Sequence, residues 1–277
     1  MILFPNAKIN IGLDILSRRP DGYHEIATLM YPTAWRDVLE LVPGTSGKDT
    51  LTCYGRPVLC PPEKNLVMKA LRSLRDVVPF GPVDCYLDKI IPDGAGLGGG
   101  SADAAFTIKG VNELMSLGLT DEELAAVAAR VGADCPFFIY NRPMMACGIG
   151  EKLTPVDLGD GLSSMFLLIA KPRTASVPTA QAYAGVTPRL PGEKLEDRLR
   201  SELATWRQSI TNAFEESVFP LHPHVEQLKR SMYQAGASFA LMSGSGASVY
   251  GIFDSKRDCI KLRDTLTESC DTFMQKL

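Results

Sequence analysis

The segment of residues 92–102, PDGAGLGGGSA, places the strongest constraint on the fold of this chain. Five of its eleven residues are glycines, so the backbone can turn its N–H groups toward one point. A strand pattern over residues 83–91 precedes it and a helical pattern begins near Ser101, which brings the positive end of a helix to the same place. A flexible connector would not need this tight placement. The segment therefore predicts a site for an anion such as a phosphate.

The segment matches only one of three known glycine-rich phosphate-binding patterns. The P-loop pattern G-x-x-x-x-G-K-[ST] is absent, and a protein-kinase loop is excluded because the chain has no H-R-D or D-F-G sequence. Gly94, Gly96 and Gly99 do satisfy the dinucleotide pattern G-x-G-x-x-G. That fold requires a second parallel strand with an acidic residue about 20 residues further on, and a helix opened by a capping box, Thr120 to Glu123, stands there instead.

Hydrophobic patterns along the chain predict an α+β fold. Apolar residues alternate over residues 7–15, which indicates a half-buried strand. A further strand is predicted over residues 26–41 with a break at Pro32. The remaining predictions are helices at 65–78, 101–116, 120–131, 194–217, 224–234 and from 255, and strands at 165–171, 239–242 and 249–253.

Composition and charge exclude several classes of partner. A formal net charge of −3 gives no basic stripe for a phosphate backbone, so nucleic acid is not expected as a partner. Seven cysteines without a C-x-x-C pair, and three histidines with no metal-ligand spacing beyond His222 and His224, predict reduced thiols and no protein metal site. No run approaches 18 apolar residues, and the first residues lack a basic leader and cleavage site. We therefore expect a cytoplasmic protein that does not enter a membrane.

Five motifs together resemble the GHMP small-molecule kinases. They are AKINIGLDIL, RRPDGYHEI, PDGAGLGGGSADA, GADCPFF and LMSGSGASVYGIF, and they extend from the N-terminus to about Phe253. The resemblance implies a two-domain GHMP kinase fold: an N-terminal ribosomal-protein-S5-like domain, residues 1–153, and a C-terminal ferredoxin-like domain, residues 154–277, with the active site in the cleft between them. It also implies ATP and Mg²⁺ as cofactors.

Two residues carry the chemistry that the resemblance implies. Lys8 lies on the polar face of the first strand, where a lone lysine is ordinarily solvated, and Asp134 lies in a turn before Pro136, where an Asp ordinarily caps or turns the chain. The resemblance makes Lys8 the catalytic lysine, which stabilises charge on the phosphoryl group. It makes Asp134 the general base toward the acceptor hydroxyl, with positioning of that hydroxyl as the alternative role.

Four residues are implied to bind the acceptor. Within the family, the Tyr-His pair after the Pro-Asp-Gly turn resembles members that phosphorylate a small alcohol linked to cytidine diphosphate. Tyr23 then offers a stacking face to the base and His24 a donor and an acceptor to its edge. Tyr183 aligns with an aromatic residue on the other side of the base, and Asn10 would hydrogen-bond the substrate. A monomer or a homodimer is compatible with this interpretation.

The resemblance assigns the ATP phosphates to the glycine segment and, by its third motif, to a second loop at residues 243–248. Two residues depart from the familiar pattern: Asp93 adds a carboxylate, and Ala102 lacks a hydroxyl. Both are expected to weaken ATP binding. The predicted nucleotide-binding residues are Pro92, Asp93, Gly94, Ala95, Gly96, Leu97, Gly98, Gly99, Gly100, Ser101 and Ala102.

Three alternatives stay open at this point. Another GHMP kinase, acting on homoserine or mevalonate, gives no reason for the Tyr23-His24 pair. A nicotinamide-dependent oxidoreductase requires the missing second parallel strand. A catalytically silent binding protein would be expected to lack Lys8 or Asp134, and both residues are present.

Overall fold

A computed structural model describes all 277 residues of the chain, Met1–Leu277. The strands are β1 (Ile2–Leu3), β2 (Asn6–Arg18), β3 (His24–Arg36), β4 (Val38–Pro43), β5 (Thr50–Gly55), β6 (Val83–Lys89), β7 (Met144–Gly148), β8 (Lys152–Pro155), β9 (Phe166–Pro172), β10 (Phe239–Met242), β11 (Val249–Phe253) and β12 (Cys270–Lys276). The α-helices are α1 (Leu66–Arg75), α2 (Gly99–Leu114), α3 (Asp121–Val131), α4 (Cys135–Tyr140), α5 (Thr179–Ala184), α6 (Leu195–Leu199), α7 (Leu203–Ser209), α8 (Glu215–Val218), α9 (Pro223–Gln234) and α10 (Lys256–Leu266). This mixture confirms the predicted α+β class.

The chain forms two compact units that are not contiguous in sequence. The first contains residues 1–8, 32–93 and 98–142, and the second contains residues 9–31, 94–97 and 143–277. Four residues of the glycine segment, Gly94–Leu97, therefore belong to the second unit, and its other residues belong to the first. The boundary at residues 153 and 154 stays a prediction.

The first unit is a four-stranded sheet with helices α1 to α4. The strand order is β1-β4-β6-β5; β4 pairs with β6 antiparallel and β5 pairs with β6 parallel. Asn65 caps α1 by accepting a hydrogen bond from the N–H of Val67. Apolar residues of α1 at helical spacing, Val67, Ala70, Leu71 and Leu74, are all fully buried. The predicted capping box of α3 is confirmed, with Thr120 and Glu123 each bonding the other's backbone N–H.

The second unit contains a sheet of order β10-β11-β9-β12, antiparallel throughout. Helices α9 and α10 pack against this sheet. A second sheet, of order β2-β3-β7-β8, lies in the same unit apart from the first three residues of β2 and the last five of β3. In it β3 pairs with β7 antiparallel, from Ile26 opposite Gly148 to Met30 opposite Met144.

Two predicted boundaries were wrong. Strand β3 continues through Pro32, because this residue lies beyond the segment paired with β7 and its missing N–H costs that ladder no hydrogen bond. The break comes at Asp37 instead. The long helix predicted over residues 194–217 is three short helices. The hydroxyl of Ser201 donates to the carbonyl of Arg198 at the end of α6, and Leu13 of β2 hydrogen-bonds the backbone of Thr211 and Ala213, which holds that stretch extended.

None of the helices combines the length and the apolar character that crossing a membrane requires.

Candidate active site

Lys8 and Asp134 meet in the first unit. Lys8 is buried, with 3% of its surface exposed, and its Nζ lies 3.5 Å from Oδ2 of Asp134, whose side chain is about one-third exposed. That distance is an ion pair rather than a short hydrogen bond. The lysine therefore presents its charge from the protein interior, while part of the carboxylate stays open to a ligand.

The position of Asp134 follows from the helices on either side of it. The N–H of Gly132 closes the last turn of α3 on the carbonyl of Ala128. Two residues later Asp134 occupies the position that precedes α4, and Pro136 lies in the first turn of that helix, where a missing N–H is harmless. The short connection therefore places the carboxylate of Asp134 directly before the first turn of α4.

The side chain of Lys8 packs against Gly98, at the start of α2. Gly98 is the residue that precedes α2 and has φ 71°, and no side chain caps this helix. A Cβ at Gly98 would lie 2.9 Å from Cζ of Phe138 and 3.2 Å from Cε of Lys8. The side chain of Lys8 therefore runs against the backbone at the helix start. An ammonium and a helix N-terminus at one place favour a phosphate group.

Asp93 and Ala102, the two residues that depart from the familiar loop pattern, differ in their exposure to solvent. Asp93 is exposed to solvent. Ala102 is completely buried, and its N–H closes the first turn of α2 on the carbonyl of Gly98. A serine at this position would bury a hydroxyl, so alanine is the residue that the packing favours.

In the second unit, the segment Gly94–Leu97 packs against the second glycine loop. A Cβ at Gly96 would lie only 2.0 Å from the carbonyl oxygen of Ser243, so only glycine fits there. The hydroxyl of Ser243 donates to the carbonyl of Gly96 at 2.9 Å, and the N–H of Ser248 donates to the carbonyl of Ala95 at 3.1 Å. The two loops hold each other's backbone.

Two side chains that the sequence analysis missed support the second loop. The amide of Asn212 donates to the carbonyls of Met242 and Gly244, both at 2.8 Å. Glu215 accepts from the N–H of Met242 at 3.0 Å and from Lys229 at 2.6 Å. Burial raises the pKa of Glu215, although Lys229 lowers it. Both residues lie in a region read from the sequence as one continuous helix, so no signal marked them.

Asn10 is buried in the second unit, and its predicted role in binding substrate stays a prediction. Its amide donates to the hydroxyl of Thr28 at 3.0 Å, and its backbone N–H donates to the hydroxyl of Ser243 at 3.2 Å. Its Oδ1 faces Gly244, where an added Cβ would lie 3.1 Å away. The side chain is therefore fixed at the edge of the second loop.

His24 and Tyr183 also meet in the second unit. Their rings stack with centroids 4.9 Å apart and planes inclined by 21°, and Tyr183 makes an edge contact with Phe214 on a further side. Tyr23 is 61% exposed. The structure thus pairs Tyr183 with His24, whereas the sequence analysis placed it opposite Tyr23 across a base.

No three His, Cys, Asp or Glu side chains gather into a group that could hold a metal ion.

Comparison with known proteins places both halves of the chain in one family. The model described as "GHMP kinases N terminal domain" matches residues 65–142, and "GHMP kinases C terminal" matches residues 195–272. The chain is 49% identical to a 4-diphosphocytidyl-2-C-methyl-D-erythritol kinase of Parabacteroides distasonis over 92% of each sequence. It is 41% identical to a protein of the same name from Cytophaga hutchinsonii over 98% of each.

Solved structures agree with these sequence relatives. A crystal structure of 4-(cytidine 5'-diphospho)-2C-methyl-D-erythritol kinase matches with a TM-score of 0.80 and 31% identity, covering 99% of this chain and 98% of that one. Homoserine kinase from Cytophaga hutchinsonii matches with a TM-score of 0.73 at 17% identity, covering 99% of this chain and 95% of that one. The second likeness shows a shared fold alone.

Proposed function

The chain belongs to the GHMP kinases, and within them to the 4-diphosphocytidyl-2-C-methyl-D-erythritol kinases; from this we propose that it transfers the γ-phosphoryl group of ATP to the 2-hydroxyl of 4-diphosphocytidyl-2-C-methyl-D-erythritol. The products are the 2-phosphate and ADP, and the reaction is a step of the non-mevalonate route to isoprenoids.

The Lys8–Asp134 pair beside the start of α2 is the observation that carries this proposal. In phosphoryl transfer the protein acts mainly by positioning groups and stabilising charge. Asp134 accepts the hydrogen bond of the acceptor hydroxyl and takes its proton as the oxygen attacks. Lys8, 3.5 Å away, offsets the negative charge that moves onto the phosphoryl oxygens. The N–H groups at the start of α2 hold the phosphates.

The cytidine end of the acceptor is assigned to Tyr23, His24 and Tyr183. The His24–Tyr183 stack is an aromatic surface of the size of a pyrimidine, and Tyr23 is exposed enough to contact a base. A base that lies between His24 and Tyr183 would have to separate them, whereas a base on the outer face of His24 would extend the stack. Asn10 is part of the same proposal, with its side chain hydrogen-bonded to the substrate.

Mg²⁺ is proposed to arrive with the nucleotide. When bound, it neutralises charge on the β- and γ-phosphates. This ion commonly uses one or two protein oxygens and keeps water and phosphate for its other ligands, so the lack of an acidic cluster is compatible with it. The partly exposed carboxylate of Asp134 and the hydroxyl of Ser101, in the first turn of α2, would offer oxygens of this kind.

The substrate is tested by incubating the purified chain with ATP, Mg²⁺ and a panel of alcohols, with new phosphomonoester signals followed by ³¹P NMR. We expect product from the cytidylated methylerythritol and none from homoserine or mevalonate. Product from one of the latter alone would overturn the assignment.

The role of Asp134 is tested by Asp134→Asn, with Asp121→Asn, an exposed acid at the start of α3, as its control. We expect the first variant to fold and bind ATP but to lose about 10²–10⁴-fold in kcat, and the control to keep its rate. Near wild-type turnover in Asp134→Asn would refute the role.

A further inference from the structure

The two exposed cysteines of the chain line one cavity in the first unit. All seven cysteines are free thiols, and only Cys53 and Cys60 are exposed, since Cys147 is half-buried and the other four are buried. A cavity of about 360 Å³ has both Cys53 and Cys60 in its wall. Cys53 belongs to β5, and Cys60 lies in the connection from β5 to α1. Two accessible thiols therefore share one small volume.

The sheet register shows on which side of β5 the thiol of Cys53 lies. Cys53 stands opposite Leu87 of β6, and Leu51 stands opposite Cys85. Both residues of β6 are at most 1% exposed. Because paired residues of neighbouring strands project to the same face of a sheet, the side chain of Cys53 lies on the covered face. Its place on an edge strand leaves it open to the cavity.

The chain leaves β5 by a turn that is held to β6. Gly55 has φ 74°. The N–H of Arg56 donates to the carbonyl of Lys89 at 2.9 Å, and its Nε donates to the carbonyl of Ile90 at 2.8 Å. Beyond this anchor, residues 57–61 form neither helix nor strand. The segment that carries Cys60 can therefore move toward β5 without breaking a regular element.

The sulfurs of Cys53 and Cys60 also act on each other electrostatically. The pKa of the Cys53 thiol is raised, first by partial burial and then by the negative charges of Asp103 and of Cys60, while Lys89 lowers it. An effect of Cys60 on this pKa requires the two sulfurs to be near each other. Because peroxides react with the thiolate form, Cys53 is slow to be oxidised directly. The exposed Cys60 is the thiol that a peroxide meets first.

We propose that Cys53 and Cys60 are a thiol modification site, at which a hydroperoxide forms a reversible disulfide across the cavity. The thiolate of Cys60 attacks one oxygen of hydrogen peroxide, the O–O bond breaks, and the hydroxide that leaves takes up the proton of the thiol to give water. The sulfur of Cys53 then attacks the sulfenic acid of Cys60. The S–S bond forms, and the S–O bond breaks with loss of a second water.

The electrons and protons of this reaction balance. Two thiols give up two electrons and two protons, and one peroxide becomes two molecules of water. A dithiol restores both thiols by exchange and is itself oxidised to a disulfide. Transient disulfides of this kind are compatible with thiols that are otherwise kept reduced.

The disulfide acts on the glycine segment through the end of β6. It draws residues 57–60 toward β5, which narrows the cavity and pulls on Arg56, the residue that holds the carbonyls of Lys89 and Ile90. These two residues lead directly into the glycine segment at Pro92. Because a misplacement of about 1 Å in a positioning group can cost about 100-fold in rate, we expect weaker binding of ATP by the oxidised protein. This consequence rests on the proposed ATP site.

Tryptic mapping of the wild-type chain after exposure to hydrogen peroxide tests the bond itself. Trypsin cleaves after Lys48 and Lys64 but not between Arg56 and Pro57, so residues 49–64 form one peptide with two cysteines, Cys53 and Cys60. We expect this peptide to lose two hydrogens, to resist alkylation, and to regain both thiols in dithiothreitol. A peptide that stays alkylatable at both cysteines, or that carries a sulfinic acid beside a free thiol, overturns the proposal.

The effect on ATP is tested by the KM of each protein in its reduced and oxidised forms, so that any basal effect of a substitution cancels. Oxidation should raise the KM of the wild type for ATP about tenfold, and dithiothreitol should reverse the change. Cys60→Ser and Cys53→Ser should show no such change. Cys147→Ser, which removes a half-buried thiol of the second unit, should respond as the wild type does.

The outcomes separate this inference from the proposed function. An unchanged KM for ATP in protein that carries the bond, or a change that persists in Cys60→Ser, overturns the effect of the disulfide on the nucleotide site. If the reduced wild type phosphorylates no alcohol, the kinase assignment fails, while the mass of the 49–64 peptide still supports or overturns the disulfide.

Discussion

At the scale of single residues, a glycine decides where the phosphate site can form. Gly98 has a left-handed backbone, and the space around its Cα is filled by Phe138 and Lys8. Gly118, just after α2, has φ 75° but nothing within 4 Å of an added Cβ. Both glycines have a left-handed backbone, but only Gly98 has neighbouring atoms that an added Cβ would meet.

We therefore expect Gly98→Ala to lower kcat/KM for ATP at least tenfold, because its methyl group displaces the ring of Phe138 and the side chain of Lys8. Gly118→Ala should cost about 1–2 kcal/mol of unfolding free energy for its left-handed backbone and leave kcat/KM unchanged. Steady-state kinetics and urea unfolding measure both effects. An active Gly98→Ala enzyme would show that the loop tolerates a shifted Lys8.

Tyr183 was predicted to lie opposite Tyr23 across the base, whereas in the structure its ring stacks on His24. If its ring helps to bind the base, Tyr183→Ala should raise the KM for the cytidylated acceptor about tenfold through the lost stacking contact. The KM for ATP should not change. Tyr183→Phe keeps the ring and should keep the acceptor KM near wild type. A change confined to the KM for ATP would refute the placement.

At the scale of elements, the second glycine loop depends on a side chain outside it. Asn212 is 2% exposed and donates to the carbonyl of Met242, at the end of β10, and to the carbonyl of Gly244 in the loop. Asn112 makes a comparable pair of bonds to the backbone of Leu119 after α2, accepting at 3.0 Å and donating at 3.1 Å. Asn212 thus bridges backbone at a predicted phosphate loop, and Asn112 bridges backbone away from it, so Asn112 can serve as the control.

Asn212→Ala should lower the unfolding free energy by about 2–4 kcal/mol, because it strands two buried carbonyls, and should raise the KM for ATP. Asn112→Ala should lower stability by a smaller amount, since its site is half-exposed, with the KM for ATP unchanged. Chemical denaturation and initial rates distinguish the two. An unchanged KM for ATP in a folded Asn212→Ala protein would separate the second loop from nucleotide binding.

The elements that sequence predicted well are those with local signals. The capping box at Thr120 depends on nearby residues and is confirmed. The alternation in β2 correctly predicted a strand, but the prediction that this strand is half-buried was wrong, because residues 6–15 are buried on both faces. The stretch at residues 210–213 failed because its helical pattern is overridden by pairing with β2, a long-range contact. Strands β5 and β12 were missed because their partners, β6 and β9, are distant in sequence. For the site, the residues of both glycine loops were visible in the sequence, but Asn212 depends on contacts that sequence spacing does not reveal.

At the scale of the whole molecule, three buried carboxyls make stability depend on pH. Burial raises the pKa of Asp14, Asp103 and Glu215 despite a cationic partner for each. The folded state then holds protons that the unfolded chain has released above its carboxyl pKa near 4. The stability from this source is greatest at the acid end of the window and is lost as pH rises through about 7 for Asp103.

We expect the thermal midpoint to fall as pH rises from 5 to 8, and Asp103→Asn to flatten the profile more than Asp14→Asn does. Calorimetric scans at constant ionic strength measure this slope. A midpoint that rises over this range in the wild type would show that other titrating groups dominate the folded state.

The contact of Gly96 with Ser243 also has a consequence for biosynthesis. The loop at residues 243–248 holds Gly94–Leu97. When the glycine segment at residues 92–102 first emerges from the ribosome, this second loop has not yet been made, so the segment cannot reach its final contacts. About 150 more residues must follow, which takes roughly 8–30 s at 5–20 residues per second. During that interval the Gly94–Leu97 part of the glycine segment has no partner for its backbone, so a chain that stops before residue 243 lacks the contacts that hold this part in place.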